Sequence, residues 1–430
     1  MALQKDLSPK IVTPIPGPRS RALASRLGRV ESQNVTCLAP TPPIFWEQAS
    51  GANVWDVDGN RFVDLGAAFG VATTGHGHPR VVAALVEQAN SLVHGMGDVH
   101  PSRTKVELLE ALARLSPGGE AMRIVLGSSG SDAVETALKT ALLATRRPGV
   151  VAFEGAYHGL SLGALDTTWR ADFRDPFRAR LPQRTVFARF GDLDHVGQVA
   201  AESSAPIGAV LVEPVQGRGG ERVAPAGFLA ELRRACDQHG WLLIADEIYT
   251  GFGRTGRTWA CDHEAVVPDL LCAGKGLASG MPLSACLGRA ALMDEAWPAS
   301  AGEALHTQTF LGHPLGCAAA LASIAVLEEE KLAERAAATG AEALERLDTK
   351  LSDADSVVDV RGQGLMLGVE LASGEFALDV VARCLERGVI LLPSGDDSQV
   401  VSITPPLGID AELLLAALDV LIDAIRADGS

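Results

Sequence analysis

Two residues with complementary chemistry, Lys275 and Asp246, lie 29 positions apart in the sequence. Lys275 lies in the small-residue segment Ala-Gly-Lys-Gly-Leu-Ala-Ser-Gly, and Asp246 ends the apolar run Leu-Leu-Ile-Ala. A lysine amine can attack an aldehyde, and glycine neighbours let the backbone approach a ring closely. A carboxylate can keep a pyridine nitrogen protonated, so the pair has the residue types that pyridoxal phosphate chemistry requires. Each residue alone is equally typical of a plainer role, a solvated lysine or a carboxylate at a strand end.

Four apolar runs predict buried strands in the middle of the chain, and amphipathic helical patterns lie between most of them. Near-continuous apolar strands are typical of a sheet covered on both faces. The expected fold class is therefore α/β, with a mostly parallel central sheet and helices on both faces. Ligands bind at the carboxyl ends of such strands, which is where Asp246 falls. The predicted strands cover residues 123–126, 149–153, 208–212 and 242–245.

The two ends of the chain follow other patterns. Four prolines within residues 9–18 predict an extended arm, and residues 52–65 read as a hairpin with a turn at Asp58-Gly59-Asn60. Further elements are expected as one long helix over 317–345, strands over 365–370 and 400–404, and a closing helix after Ile409. Both ends should form a smaller α/β domain. The predicted division is an arm with part of the small domain over 1–70, a large cofactor-binding domain over 71–316 and the rest of the small domain over 317–430.

The segment Gly127-Ser-Ser-Gly-Ser-Asp132 lies between a predicted strand and a predicted helix. Free amides, the positive end of a helix dipole and serine hydroxyls together suit a phosphate, and Ser131 is the expected N-cap. An ordinary helix cap would show the same residue types. The candidates for cofactor contact in this segment are Ser129, Gly130 and Ser131.

Two other predicted strands end in residues that could contact an aromatic ring or its substituents. Tyr157, followed by His158, closes one strand and could stack on one face of a pyridine ring, although a core tyrosine would look the same. Glu213 lies at the carboxyl end of another strand, before Pro-Val-Gln-Gly. Ile248, two positions after Asp246, could press against the opposite face of the ring.

Composition and charge narrow the function classes. The formal charge of −16 and the pI near 5.1 argue against binding nucleic acid or an anionic membrane surface. No apolar run approaches the roughly 18–20 residues of a membrane span, and the first residues lack the apolar stretch of a signal peptide. Seven cysteines without a Cys-x-x-Cys pair favour a reduced cytoplasm over disulfides or a metal site. We expect a cytoplasmic enzyme without a metal, a nucleic-acid partner or a membrane partner.

Six motifs occur in one order along the chain. They are Gly-Ser-Ser-Gly-Ser-Asp-Ala-Val-Glu, Tyr-His-Gly, Glu-Pro-Val-Gln-Gly, Asp-Glu-Ile-Tyr-Thr-Gly-Phe-Gly-Arg-Thr-Gly, the Lys275 segment and Thr309-Phe-Leu-Gly-His-Pro. In order and spacing they resemble the class-III pyridoxal-phosphate aminotransferases, the group of the 4-aminobutyrate, ornithine and diaminobutyrate aminotransferases. The likeness covers roughly residues 40–425.

The resemblance implies a fold-type-I homodimer with two sites at the subunit interface, each using pyridoxal 5′-phosphate. Lys275 would be the Schiff-base lysine, Asp246 the partner of the pyridine nitrogen, and Thr309 a phosphate contact from the neighbouring subunit. The rest of the implied cofactor-binding set comprises the phosphate ligands Gly130 and Ser131, the ring neighbours Tyr157 and Ile248, and also Ser129, His158, Glu213 and Tyr249.

The implied activity is transfer of an amino group between an amine or amino acid and a 2-oxo acid. Lys275 would then also act as the acid and base that moves the proton. A racemase, epimerase or aminomutase uses the same lysine and cofactor, so this alternative stays open. An intact lysine, acid and phosphate loop argue against a second alternative, a catalytically silent cofactor-binding protein.

The chain departs from the family where the substrate would be chosen. Ser402 stands where the 4-aminobutyrate and ornithine branches carry the arginine that grips the substrate carboxylate. Arg218 stands where they carry a glutamate that pairs with this arginine, and Tyr249 replaces a glutamine that bonds the cofactor's ring hydroxyl. Arg218 could bind a carboxylate or be a solvated loop residue, and Arg254 is the second candidate. The loop 394–398 could attract a cationic or polyhydroxylated substrate or be a solvated turn.

Overall fold

The computed structural model of the chain describes residues 6–38, 41–119 and 121–427. Within these residues, strands and helices alternate through the middle of the chain, as the apolar pattern predicts. The strands are β1 (Trp46–Ser50), β2 (Asn53–Asp56), β3 (Arg61–Asp64), β4 (Met122–Gly127), β5 (Gly149–Phe153), β6 (Thr185–Ala188), β7 (Ile207–Val212), β8 (Val215–Gln216), β9 (Arg222–Val223), β10 (Leu242–Asp246), β11 (Leu270–Ala273), β12 (Ser284–Arg289), β13 (Val357–Gln363), β14 (Met366–Leu371), β15 (Val389–Ile390), β16 (Leu392–Ser394) and β17 (Val400–Ile403). The helices are α1 (Pro18–Leu27), α2 (Ala67–Gly70), α3 (Pro79–Ser91), α4 (Arg103–Arg114), α5 (Gly130–Thr145), α6 (Leu162–Asp166), α7 (Ala171–Arg174), α8 (Leu193–Glu202), α9 (Phe228–His239), α10 (Ala290–Ala296), α11 (Pro314–Glu329), α12 (Leu332–Leu351), α13 (Gly374–Glu386) and α14 (Ala411–Arg426).

A large sheet carries the candidate site. Its strands lie in the order β4-β12-β11-β10-β7-β5-β6. β10 pairs in parallel with β11 and β7, and β5 pairs in parallel with β6 and β7, whereas β12 runs antiparallel to both neighbours. This confirms the α/β class with a mostly parallel sheet. The four predicted strands are β4, β5, β7 and β10, each within one residue of its expected bounds, whereas β6, β11 and β12 were not predicted.

Helices cover both faces of this sheet. On one face Val134 of α5 shares a buried cluster with Leu211 and Ile244, and on the other face Leu232 of α9 shares a cluster with Leu243. The neighbours Leu243 and Ile244 belong to different clusters because successive strand residues point to opposite faces. This explains why the strands read as continuous apolar runs in the sequence.

The two ends of the chain meet in a second region. β2 and β3 form the predicted hairpin. β3 also pairs in parallel with β15 from the far end of the chain, with Val63 opposite Val389. The arm is extended as predicted, since the Lys10 amide donates to Arg61 O at 2.8 Å and α1 begins only at Pro18. β14, β17 and α14 confirm the later predicted elements, and the pair of β3 with β15 joins the two ends of the chain. The division into domains stays a prediction.

The prediction of one long helix over residues 317–345 is wrong. The chain forms α11 and α12, with a break at Glu330 and Lys331, where Lys331 adopts a left-handed conformation with φ of +51°. α11 packs against α3 and α4, whereas α12 packs against α14 and β13. A single straight helix could not reach both layers, so tertiary packing ends α11 where the local sequence still favours helix.

The described residues lack two kinds of feature. None of their helices combines the length and the apolar character needed to cross a membrane. Within the same ranges, no group of three or more His, Cys, Asp and Glu residues is arranged to hold a metal ion.

Candidate active site

Lys275 follows β11 and lies beside the end of β10, because the two strands pair in parallel with Asp246 opposite Cys272. Its side chain is partly buried, and Nζ lies 4.2 Å from the centroid of the Tyr249 ring. Burial lowers the pKa of the Lys275 amine, and the carboxylates of Asp246 and Glu213 act in the opposite direction. The backbone of Lys275 has a positive φ of +26°, a conformation that costs energy in a non-glycine residue and is typical of functional sites.

Asp246 is held by two hydrogen-bond donors. Its Oδ2 lies 2.7 Å from His158 Nδ1, and its Oδ1 accepts the backbone N–H of Ile248 at 3.1 Å. Both Asp246 and His158 are buried, and His158 Nε2 has no hydrogen-bond partner within the described residues. The carboxylate is thereby fixed in orientation at the carboxyl end of β10, where a ligand nitrogen can meet it.

The start of α5 forms another wall of the site. The N-cap is Ser129, not Ser131 as predicted: Ser129 Oγ accepts the Asp132 N–H, and Asp132 Oδ2 accepts the Ser128 and Ser129 N–H groups. This reciprocal capping box fits Ser129 because it precedes Asp132 by three positions. Gly130 and Ser131 therefore occupy the first turn, where backbone amides have no acceptor within the helix. Such amides, at the positive end of the helix dipole, suit an anion.

A cavity of about 230 Å³ joins these groups. Two glycines at this cavity leave no room for a side chain. A Cβ on Gly130 would lie 3.0 Å from Ile248 Cδ1, and one on Gly159, where φ is +125°, would lie 2.1 Å from Ser131 Oγ. An amine, a carboxylate and a helix start on separate walls fit a ring that carries an aldehyde, a ring nitrogen and a phosphate. The predicted cofactor residues that line this cavity are Ser129, Gly130, Ser131, Tyr157, His158, Glu213, Asp246, Ile248, Tyr249 and Lys275.

Thr309 is the one predicted cofactor residue that the structure places elsewhere. It is exposed and does not line this cavity within the described chain. Its neighbour Gln308 accepts a hydrogen bond from Ser128 Oγ at 3.2 Å, beside the start of α5. The assignment of Thr309 to a phosphate in a neighbouring subunit stays a prediction.

Two buried glutamates brace the site. Glu213 accepts the N–H groups of Tyr157 at 3.1 Å and Gly217 at 3.3 Å, and burial raises its pKa to about 7. Glu247 accepts the N–H groups of Ala260 and Cys261 and lines neither of the two cavities that Lys275 lines in the described chain, which fits a structural role. Glu213 thus joins the loops that carry Tyr157 and Gly217.

Tyr249 presents its ring, and not its hydroxyl, to Lys275. The ring is packed between Gly70 and Gly217, where a Cβ would lie 2.1 Å from Cε2 and 2.4 Å from Cδ1, respectively. Its Oη pairs with Thr404 Oγ1 at 3.0 Å, and burial raises the pKa of the phenol to about 12. The replacement of a glutamine by Tyr249 suggests a bond from the phenol to the cofactor's ring hydroxyl; because Oη is already bonded to Thr404, that bond stays a prediction.

A larger cavity of about 470 Å³ adjoins the first one. The two cavities share Tyr157, Glu213, Tyr249 and Lys275, so the lysine amine is open to both. The larger cavity extends to residues from the chain's C-terminal part. Its other polar and charged lining residues are Arg170, Arg218, Glu221, Ser394, Ser398 and Ser402.

The two arginines considered as carboxylate ligands have different surroundings. Arg218 is exposed at the larger cavity, with Cζ 5.8 Å from the centroid of the Tyr157 ring. Arg254 is only 1% exposed, its Nη1 donates to Leu365 O at 2.9 Å and Pro405 O at 2.5 Å, and it lines neither cavity in the described chain. Burial also lowers its pKa to about 10. This position joins loops and does not fit the predicted substrate-binding role of Arg254.

The sequence interpretation missed Glu221. Ser402, the residue in place of the family arginine, donates from Oγ to Glu221 Oε1 at 2.6 Å, and Ser394 Oγ donates to Glu221 Oε2 at 2.7 Å. Burial raises the pKa of Glu221 to about 7. The one sequence feature that could have pointed to Glu221 is its position three residues after Arg218, in the loop that follows Gln-Gly.

Comparisons with known proteins agree with this geometry. The family model for aminotransferase class-III matches residues 37–425. The chain is 38% identical to a 4-aminobutyrate aminotransferase of Mycobacterium leprae, over 96% of the chain and 97% of that protein. It is 40% identical to an acetylornithine aminotransferase of Methanopyrus kandleri, over 90% of the chain and 95% of that protein.

The fold is also found among solved structures. An ornithine aminotransferase from Toxoplasma gondii matches with a TM-score of 0.87 and 30% identity, covering 96% of this chain and 97% of that one. Another structure of that enzyme has pyridoxal phosphate at partial occupancy in its active site, and it matches with a TM-score of 0.85. The chain therefore belongs to the class-III aminotransferases, pyridoxal-phosphate-dependent enzymes of fold type I that move an amino group between an amine or amino acid and a 2-oxo acid.

Proposed function

We propose that Lys275 holds the cofactor and carries the proton during amino-group transfer, with Asp246 as the partner of the ring nitrogen. The observation that carries this assignment is that both side chains, from the ends of adjacent strands, line one cavity. Pyridoxal phosphate, when bound, supplies an aldehyde and a ring that accepts electrons. Because burial lowers the pKa of the Lys275 amine, more of it is neutral and able to take a proton from a substrate carbon.

The other cavity residues orient the cofactor. The first-turn amides of α5 at Gly130 and Ser131 bind the phosphate, since they have no acceptor within the helix. His158 and the Ile248 amide hold the Asp246 carboxylate in position, and ion pairing favours a proton on the ring nitrogen. Tyr157 and Ile248 lie against the two faces of the ring, and the packed walls exclude water from it.

The carboxylate of the 2-oxo acid is bound by Arg218. The relatives named above are a 4-aminobutyrate and an acetylornithine aminotransferase. By the resemblance described above, this chain has Ser402 in place of the arginine that grips a carboxylate in the 4-aminobutyrate and ornithine branches. Arg218 lines the cavity that Lys275 also lines, and its guanidinium is not ion-paired within the described chain. A carboxylate bound here would gain a charged partner at the open side of the cavity.

A half-reaction tests the transfer itself. The holoenzyme mixed with an amine donor alone should lose the absorbance of the lysine-bound cofactor as the cofactor takes up the amino group, and adding a 2-oxo acid should restore it. A racemase or epimerase would instead return to the starting spectrum in each cycle and would change the configuration of one amino acid without any 2-oxo acid. Failure of every amine and amino acid tried to change the spectrum would overturn the proposal.

The enzyme acts in the cytoplasm as a homodimer in which Thr309 of each chain serves the site of the other. The exposure of Thr309 supports this arrangement, as do the exposed apolar side chains of Met96, Leu305 and Phe310. A contiguous patch of exposed apolar groups is typical of a surface that another chain covers.

Mixing two inactive variants, Lys275→Ala and Thr309→Asp, tests the shared site. The aspartate repels the phosphate by its like charge. In a mixed dimer with shared sites, one site carries both lesions and the other carries none, so activity returns after unfolding and refolding together. Each variant refolded alone is the control. Mixed dimers that form without any recovery would show that Lys275 and Thr309 act within one chain.

A further inference from the structure

The buried carboxylate of Glu221 sets the hydrogen-bonding character of one wall of the larger cavity. Glu221 is 1% exposed, and its two oxygens accept the hydroxyl protons of Ser402 and Ser394. A serine hydroxyl has a single proton to donate. Once that proton is given to Glu221, both serines offer only lone pairs to a ligand in the cavity. This wall therefore accepts hydrogen bonds and cannot donate them while Glu221 is ionised.

The charge of Glu221 has no ion-pair partner among the described residues. The cation whose charge acts on it, Arg361, forms no hydrogen bond or ion pair with Glu221 in the described chain. Its Nε donates to Gly220 O at 2.8 Å, its Nη1 bonds Asp359 at 2.8 Å and Glu370 at 2.5 Å, and its buried Nη2 has no partner there. A buried carboxylate without a cation is costly in its charged form, and burial indeed raises its pKa to about 7. A cationic ligand in the cavity would supply the missing charge.

We propose that Glu221, together with Ser394 and Ser402, binds the distal ammonium group of a diamine donor. An ammonium carries three N–H donors and no acceptor, which matches a wall made only of acceptors. The reacting amine of the same molecule would lie at Lys275, which lines the same cavity. The methylene chain between the two amines would pass the Tyr249 ring and Leu392, both of which line the cavity.

The same wall disfavours a donor whose distal group is a carboxylate. Such a group would meet two hydroxyls that have no free proton and the negative charge of Glu221 behind them. A donor with a plain methyl end would leave these acceptors without a partner, which weakens binding without repulsion. The expected order of donor preference is therefore diamine, then alkylamine, then ω-amino acid bound in this direction.

Three donors of similar length test this inference, which rests on the proposed function: cadaverine, pentylamine and 5-aminovalerate. The half-reaction measures kcat/KM for each with the holoenzyme. Cadaverine should exceed pentylamine by at least about tenfold, which is about 1.4 kcal/mol. Glu221→Gln keeps the shape and removes the charge, so it should lower kcat/KM for cadaverine at least about tenfold and leave pentylamine within about twofold. The matched control, Glu345→Gln on the exposed face of α12, should change neither value.

A purely structural role for Glu221 predicts a different result. It would lower kcat/KM for cadaverine and pentylamine equally, and it would lower the melting temperature of Glu221→Gln, because a needed buried contact would be lost. A ligand-binding role leaves the melting temperature unchanged or raised at neutral pH, since an unpaired buried charge has been removed. Equal losses for both amines, or preference for 5-aminovalerate over cadaverine that persists in Glu221→Gln, would overturn the inference and leave the transfer activity standing. Absence of reaction with all three donors and with amino acids would overturn the proposed function and this inference with it.

Discussion

The two cavities that share Lys275 are built in different ways. The smaller cavity is formed by strand ends and the turns that follow them, such as Asp246 at the end of β10 and the start of α5 after β4. The larger cavity depends on contacts between distant segments, because Glu221 lies 181 positions from Ser402 and 173 from Ser394. On the proposed assignments, cofactor binding depends on local motifs at the ends of sheet strands, whereas donor choice depends on how the C-terminal strands pack against a distant loop.

A change at Lys275, which lines both cavities, should have the largest effect because it disables the chemistry proposed for both. Lys275→Ala removes a proton-transferring group of a kind that contributes about 10²–10⁴-fold to a rate, so turnover should fall by about 10³-fold or more. The phosphate site at α5 stays intact, so the variant should still retain cofactor after desalting. kcat and bound cofactor are the two measurements, and Lys350→Ala at the exposed end of α12 is the control. Near-normal turnover in Lys275→Ala would remove the basis of both assignments.

The sequence predicted the smaller cavity well because its residues are local to recognisable strands. Asp246 and Glu213 each fall at the end of an apolar run, and nearly all predicted cofactor residues line one cavity. The N-cap was placed two positions late, at Ser131, because several serines occur in a row and only the reciprocal bonds with Asp132 single out Ser129.

The larger cavity could not be predicted in the same way. No local pattern connects Glu221 with Ser402, and the buried position of Arg254 follows from its bonds to the carbonyls of Leu365 and Pro405. The break between α11 and α12 has the same origin. Lys331 adopts its left-handed conformation because two layers must be reached, although the local sequence favours an unbroken helix.

The second largest effect is expected on stability, at Glu221, which lines the larger cavity and not the smaller one. In the folded state its pKa is raised from 4.5 to about 7, with burial as the main cause, Arg361 lowering it and Glu213 raising it. A carboxylate whose pKa is raised in the folded state binds more protons there than in the unfolded state. Its cost to stability therefore grows as the pH rises through this range. Glu221→Gln removes that cost. The free energy of unfolding of the variant minus that of the native protein should therefore grow by about 2–3 kcal/mol from about pH 5 to about pH 8.

Denaturant unfolding of the native protein and the variant at both pH values measures this difference. Glu213, whose pKa is also raised to about 7, is present in both proteins, so the contribution of its own burial cancels and only its interaction with the Glu221 charge is lost in the variant. Glu345→Gln should show the pH dependence of the native protein, since this side chain is exposed. A difference between Glu221→Gln and the native protein that is the same at both pH values would mean that Glu221 does not titrate in this range. The larger cavity would then lack the charge on which its donor preference depends.

The smallest effect is expected at Arg218, which is exposed. Its guanidinium carbon lies 5.8 Å from the centroid of the Tyr157 ring and 5.7 Å from that of the Phe173 ring. If Arg218 binds the carboxylate of the 2-oxo acid, Arg218→Ala should lower kcat/KM for that half-reaction about tenfold, which is about 1.4 kcal/mol. The amine half-reaction with pentylamine needs no carboxylate contact and should be unchanged. Arg218→Lys keeps the charge but loses the planar two-pronged geometry, so it should recover part of the loss. An equal loss in both half-reactions would show that Arg218 only shapes the loop before Glu221, and no loss in either would assign the carboxylate to Arg170, the other arginine that lines the larger cavity.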